Sequence, residues 1–263
     1  MKTISLIGST GSIGRQVCSV VRRHADKFKI ESIVANASAD VFLAQVCEFM
    51  PKYAALANAE VGKSIQHLIP EGVRFGYGEQ AAEEAVCYGD IAFVAATGFA
   101  GLKYSLRALQ LKKNIALANK ETLVCGGELV MGKARETGVE IMPVDSEHSA
   151  LWQALNFRLN APFKRLIITA SGGPFYGYTP EELEKVTPMS ALKHPTWQMG
   201  AKITIDSATL LNKGFEVIEA KRLYDAPLSK IHTIVQPESI IHSMVEFEDS
   251  GILAQMSYPT MEL

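Results

Sequence analysis

Pro143-Val144-Asp145-Ser146-Glu147-His148-Ser149 gathers two carboxylates, hydroxyls and an imidazole in one short stretch. It follows the apolar, strand-like Val139-Glu140-Ile141-Met142 and leads into the helix-like Ala150 to Leu155. The polar groups therefore fall where a strand would end, which is where open α/β sheets collect ligands. Asp145 and Glu147 are two apart and point the same way on an extended backbone. Two oxygen ligands on one face begin a site for a hard divalent cation such as Mg²⁺ or Mn²⁺. Acids at a helix start also stabilise the helix through its dipole, and this stretch alone leaves both readings open. Glu216 offers a third carboxylate for such a metal, or else an exposed helical glutamate pairing with Lys213 or Arg222. Ser207, Asn212 and Lys213 supply neutral donors and one cation, the mix that holds a phosphate. Ser171-Gly172-Gly173-Pro174-Phe175 can form a concave run of N–H groups for an anion, or an ordinary loop.

The elements that must position these groups are alternating strands and helices. Thr3 to Ile7 reads as a buried strand, Gly8-Ser9-Thr10-Gly11-Ser12-Ile13-Gly14 as a glycine-rich turn, and Arg15 to Arg23 as a helix. That context turns a G-x-x-G-x-x-G spacing into a dinucleotide fingerprint. The glycines let the backbone approach a pyrophosphate, and the helix N-terminus supplies N–H groups and positive potential. The next strand, Ile30 to Ala35, ends in Asn36-Ala37-Ser38 without an acid to bond a ribose 2′-OH, which favours NADP over NAD. Strands follow at Tyr53 to Leu56, Asp90 to Ala96 and Asn114 to Ala118. Helices lie between them at Val41 to Phe49, Val61 to Leu68, Gln80 to Val86 and Leu102 to Leu109. This alternation predicts a doubly wound parallel sheet with Thr97 and Asn119-Lys120-Glu121 on the same edge as the glycine turn. Lys120, directly after a buried strand, is either a solvated lysine or a ligand contact.

In the second half, Phe163 to Ala170 reads as a strand. Thr179-Pro180-Glu181-Glu182 reads as a capped helix start. His194-Pro195-Thr196-Trp197-Gln198-Met199-Gly200 is expected in a lid over a bound ligand, or with Trp197 packed on the body of the protein. Ile231 to Val235, Ile240 to Phe247 and Ile252 to Tyr258 are expected as an antiparallel sheet that offers a dimer surface.

At 263 residues and 48% hydrophobic, the chain can bury a sizeable core in one or two domains. A net charge of −2 without a Lys/Arg run argues against a nucleic-acid partner. Cys18, Cys47, Cys87 and Cys125 are widely spaced, which predicts buried free thiols in a reducing cytoplasm. The N-terminus lacks the apolar core and cleavage site of a signal peptide. No apolar run is long enough to span a membrane.

Taken in order, these blocks resemble the 1-deoxy-D-xylulose 5-phosphate reductoisomerase family. They are Gly8 to Gly14, Leu117 to Glu121, Pro143 to His148, Ser171 to Phe175, His194 to Gly200, Asp206 to Thr209 and Asn212 to Gly214. The resemblance implies a Rossmann-like NADPH domain over residues 1–145. An α+β catalytic and metal-binding domain would follow over 146–263, with a lid loop at 172–200 and dimer-forming strands. It implies that Thr10, Gly11, Ser12, Ile13, Asn36, Asn119, Glu121 and Gly200 contact NADPH. Asp145, Glu147 and Glu216 would bind Mg²⁺, Mn²⁺ or Co²⁺. Lys120 and Ser146 would contact the ketol end of a sugar phosphate. Ser171, Ser207, Asn212 and Lys213 would grip its phosphate, and His194 would close over it. It also implies a homodimer, a place in the non-mevalonate route to isoprenoid precursors, and inhibition by fosmidomycin.

The chain departs from the family pattern around Ala37, near which members often carry a basic residue to meet the 2′-phosphate. Members also continue past Leu263 into a C-terminal helical domain, so a truncated chain is expected here. Two other functions are open: a different NADP-dependent dehydrogenase acting on a phosphorylated or acidic substrate, and a nucleotide-binding fragment without turnover.

Overall fold

In a computed structural model of the chain, residues 1–193 and 200–259 are described. They form two compact units, Met1–Val144 and a second beginning at Asp145.

The first unit runs β1 (Lys2–Ile7), α1 (Ser12–Arg23), β2 (Phe28–Ala35), α2 (Ala39–Phe49), β3 (Tyr53–Leu56), α3 (Ala59–Ile65), β4 (Arg74–Tyr77), α4 (Glu79–Glu84), β5 (Ile91–Val94), α5 (Ala100–Gln110), β6 (Asn114–Leu117), α6 (Glu121–Thr137) and β7 (Ile141–Pro143). The strands pair in the order β4-β3-β2-β1-β5-β6-β7, all parallel. Central strands buried on both faces explain the unbroken apolar runs: Leu6, Ile33, Ala54 and Ala55 have no measurable exposure. Phe42 and Val46 of α2 pack onto Leu6, Ile33 and Leu56. The strand order reverses between β1 and β5, so the carboxyl ends of β1, β5 and β6 frame the switch-point crevice of such a sheet. Backbone geometry forces the glycines there. Gly8 has φ +86°, and a Cβ on it would lie 2.5 Å from the carbonyl oxygen of Ala95. A Cβ on Gly14 would collide with the carbonyl of Gly8, so the first turn of α1 sits directly on the β1 turn.

Strand β4 was not legible in the sequence. Arg74-Phe75-Gly76-Tyr77 is a short, half-exposed edge strand, and edges carry little apolar signal. The thiol expectation needs correction. All four cysteines are free, but only Cys18 is buried, while Cys47, Cys87 and Cys125 are exposed. Wide spacing excludes a framework of bridges but does not say which face of an element a thiol takes.

The second unit runs α7 (Ser146–Ala154), β8 (Arg165–Ala170), α8 (Pro180–Leu183), α9 (Pro188–Ala191), α10 (Ala201–Ala208), α11 (Leu211–Leu223), β9 (Ile231–Val235), β10 (Ile241–Glu246) and β11 (Ile252–Met256). Its sheet has the order β11-β10-β8-β9. Strand β10 pairs antiparallel with β11 and with β8, but β9 pairs parallel with β8. The expected antiparallel sheet is therefore mixed. The chain between β8 and β9 includes the helices α8 to α11, a crossover long enough to bring β9 back in the same direction as β8. Thr179 caps α8 as read from the sequence, its hydroxyl accepting from the Glu182 N–H while the Glu182 carboxylate accepts from the Thr179 N–H. Of the expected lid, His194 and Trp197 lie outside the described residues. Among the described residues, no helix is long and apolar enough to cross a membrane.

Candidate functional site

In the second unit, Asp145 is the residue before α7, with non-helical backbone torsions (φ −54°, ψ 131°), and Glu147 stands in the first helical turn. The strand-like alternation expected of this pair does not hold, because the backbone changes conformation between them. They converge all the same. One carboxylate oxygen each of Asp145, Glu147 and Glu216 lie within 4.8 Å of one another. Glu216 reaches them from α11 and is 1% exposed, so it is not the exposed helical glutamate that the sequence left open. Three carboxylates converging on one point are costly without a cation. The chain supplies one: the Lys213 Nζ donates to Glu147 Oε1 at 2.9 Å, to Glu216 Oε2 and to the carbonyl of Thr169. Burial alone would pull this ammonium's pKa down. The adjacent Glu147 and Glu216 outweigh that effect and hold it above the ordinary lysine value. Asn212 donates to Glu216 Oε1 at 2.6 Å, and Ser146 donates to Glu147 Oε2 at 2.7 Å.

These residues line one cleft, together with Ser171, Ser207, Gln236, Ser239 and His242. With its open solvent mouth included, the cleft spans about 740 Å³. Gly172 (φ +93°) and Gly173 (φ +72°) turn the chain into it after Ser171. A Cβ on Gly173 would lie 2.6 Å from the Ser207 carbonyl, so this turn must be glycine to approach α10.

Gln236, Ser239 and His242 were missed in the sequence. Their only signal is a polar break, Gln236-Pro237-Glu238-Ser239, between two strands. Glu219 was missed too. It is 1% exposed, and its Oε2 lies 3.1 Å from Nε2 of the fully buried His148. Its sequence signal is its spacing from Glu216, three residues on along the same helix face.

In the first unit, Thr10, Gly11, Ser12 and Ile13 form the turn and first residues of α1, with Gly11 and Ser12 exposed. The first turn of α1 has no acidic residue and no side-chain cap, which leaves its N–H groups facing outward for an anion. Asn36 is exposed after β2, and its carbonyl accepts from the Asn58 N–H at 3.0 Å. Asn119 is buried and donates to the Gly98 carbonyl at 3.0 Å and to Glu121 Oε2 at 2.8 Å. Lys120 is 8% exposed, which removes the reading of a solvated lysine. In the second unit, Gly200 opens α10 and is exposed. His194 cannot be placed among the described residues.

Comparison with known proteins decides the family. Residues 4–127 match the family model for 1-deoxy-D-xylulose 5-phosphate reductoisomerase, and residues 141–224 match that for the reductoisomerase C-terminal domain. A 1-deoxy-D-xylulose 5-phosphate reductoisomerase of Caldanaerobacter subterraneus subsp. tengcongensis is 47% identical over 264 positions, covering 100% of this chain and 69% of the relative. The chain belongs to this reductoisomerase family. A reductoisomerase of Bacteroides fragilis is 46% identical, covering the whole chain and 68% of the relative. Among solved reductoisomerases, one in complex with NADPH, fosmidomycin and magnesium superposes with a TM-score of 0.92 at 34% identity, over 99% of this chain and 67% of that one. The Zymomonas mobilis enzyme in complex with NADPH gives 0.91 at 38% identity, over 99% of this chain and 68% of that one. The resemblance read from the sequence blocks and the expected α/β fold are both confirmed.

Proposed function

We propose that this chain converts 1-deoxy-D-xylulose 5-phosphate to 2-C-methyl-D-erythritol 4-phosphate, a step of the non-mevalonate route to isoprenoid precursors. The observation that carries this reading is the convergence of Asp145, Glu147 and Glu216 in a cleft rich in hydroxyls, in a chain of this family. Three clustered carboxylate oxygens fit a hard divalent cation, and a cation (Lys213) already stands against two of them. The uncapped start of α1, with glycines pressed against it, fits a pyrophosphate.

Asp145, Glu147 and Glu216 are the ligands for Mg²⁺, Mn²⁺ or Co²⁺, which supplies Lewis-acid stabilisation of charge on the substrate's ketol oxygens. Thr10 to Ile13, Asn36, Asn119, Glu121 and Gly200 hold NADPH, the hydride donor. Ser146 and Lys120 bind the ketol end. The Ser146 hydroxyl, which donates to Glu147 Oε2 and lines the cleft, would supply a donor to a substrate oxygen. Ser171, Ser207, Asn212 and Lys213 bind the phosphate, and His194 covers it. The first unit is the cofactor domain and the second the catalytic one, with 172–200 as its lid.

A homodimer is supported by the apolar side chains exposed on the sheet edges: Ile234 and Val235 of β9, and Ile252, Leu253 and Met256 of β11. Free thiols, three of them exposed, suit a reducing cytoplasm.

The test follows NADPH absorbance with 1-deoxy-D-xylulose 5-phosphate and Mn²⁺. We expect NADPH consumption that EDTA and fosmidomycin abolish. Glu216→Gln should lower kcat by about 10²-fold or more while NADPH affinity stays unchanged. Consumption that survives full chelation would instead indicate a metal-free dehydrogenase.

A further inference from the structure

Lys213 and Asn212, proposed above to bind the phosphate, are turned to carboxylates in this structure. An ammonium has three donors, and those of Lys213 go to Glu147, Glu216 and the Thr169 carbonyl. Lys213 is 8% exposed, so it holds this position inside the protein and not as a surface contact. The Asn212 amide is directed at the other oxygen of Glu216, 2.6 Å away. Both groups proposed for the anion are therefore committed to carboxylates proposed for the cation. The hydroxyls of Ser171 and Ser207 line the same cleft.

A divalent cation held by Glu147 and Glu216 would stand beside an ammonium held by the same two carboxylates, and like charges so close repel. We infer that the cation and phosphate subsites share Lys213 and Asn212: a metal arriving at Asp145, Glu147 and Glu216 displaces both, and only then are they released to bind the phosphate. This rests on the metal site proposed above. In the metal-free chain Lys213 acts as an internal counter-ion that keeps the carboxylate cluster folded and the phosphate subsite disarmed. The long lysine stem lets the ammonium move between the two without backbone change. Linkage then requires reciprocity: phosphate favours the metal by the same factor as the metal favours phosphate.

The experiment titrates the full 263-residue chain with Mn²⁺, following free Mn²⁺ by electron paramagnetic resonance, with and without inorganic phosphate. In the wild type, phosphate should tighten Mn²⁺ about tenfold. In Lys213→Met, Mn²⁺ alone should bind about tenfold tighter than in the wild type, and the phosphate effect should fall below about twofold. Lys202→Met is the charge control, because Lys202 pairs with Asp206 at 2.6 Å and removes the same charge from the same unit. It should leave Mn²⁺ affinity within about twofold. The metal-free Lys213→Met chain should melt below wild type, and Mn²⁺ should raise its melting temperature more than it raises the wild type's. If Lys213→Met does not fold even with Mn²⁺, Asn212→Ala carries the test, and the phosphate effect should fall at least about threefold. Mn²⁺ binding no tighter in Lys213→Met, tightening matched by Lys202→Met, or full phosphate coupling in the folded variants would overturn the inference while the metal site stands. A wild type that binds no Mn²⁺, or binding unchanged in Asp145→Asn, would overturn the metal-site reading and this inference with it.

Discussion

Asp145, His148 and Glu219 form a second cluster that shares Asp145 with the carboxylate centre, their ligand atoms lying within 4.8 Å of one another. His148 is fully buried and faces Glu219 at 3.1 Å, near enough for an ion pair but not aligned as a hydrogen bond. Burial alone would lower the imidazole's pKa, while Glu219 first and then Asp145 and Glu216 raise it above its ordinary value. A buried imidazole facing those acids fits a group that holds its neighbours in place and leaves metal ligation to carboxylates. Tyr224 fastens the same spot, its hydroxyl donating to the His148 carbonyl at 2.6 Å. Burial next to Glu219 pushes the Tyr224 phenol well above its usual range, so it stays a donor throughout the neutral and alkaline pH of an assay. Tyr224→Phe removes one buried hydrogen bond and no packing surface. It should cost about 1 kcal/mol of stability, a lower melting temperature by roughly 2–4 °C in a chain of this size. An unchanged melt would show that this bond contributes nothing net.

At the scale of elements, the β1–α1 turn and the α7 start do opposite things with backbone geometry. The β1–α1 turn is rigid: Gly14 of α1 has no room for a methyl group because the Gly8 carbonyl lies where a Cβ would go. The collision is with backbone, which cannot move aside as a side chain can. Gly14→Ala should therefore destabilise the first unit by about 1–3 kcal/mol and weaken NADPH binding together with it. Circular dichroism melts and NADPH fluorescence would check this; wild-type values in both would mean that the turn yields. The α7 start instead exploits a change of conformation. Asp145 is non-helical and Glu147 helical, so the two carboxylates meet although they are neither strand neighbours nor a helical i,i+4 pair. The turn was legible in the sequence because a glycine spacing between a strand and a helix is a local signal. The α7 geometry was not, because it depends on where one conformation gives way to the next.

At the scale of the whole molecule, every ladder of the seven-stranded sheet is made between strands of Met1–Val144. Residues 1–144 produced alone should consequently fold, melt cooperatively and bind NADPH. A fragment that aggregates, or lacks a near-ultraviolet dichroism signal from its buried aromatics such as Tyr53, would count against this. The order of motif blocks along the chain, the alternation of strands and helices and the glycine turn determined the family, the fold class and the cofactor class from sequence alone. Each of these is a local pattern repeated or ordered along the chain, so it survives without knowledge of what touches what. Tertiary structure decided the rest. Glu216 lies 69 residues from Glu147 in the chain, and only the packing of α11 against α7 brings their carboxylates together. The same packing turns Lys213 inward onto those acids, and the crossover through α8 to α11 sets β9 parallel to β8. Helix rotation and strand direction are fixed by long-range burial, which residue types and spacing constrain but do not specify.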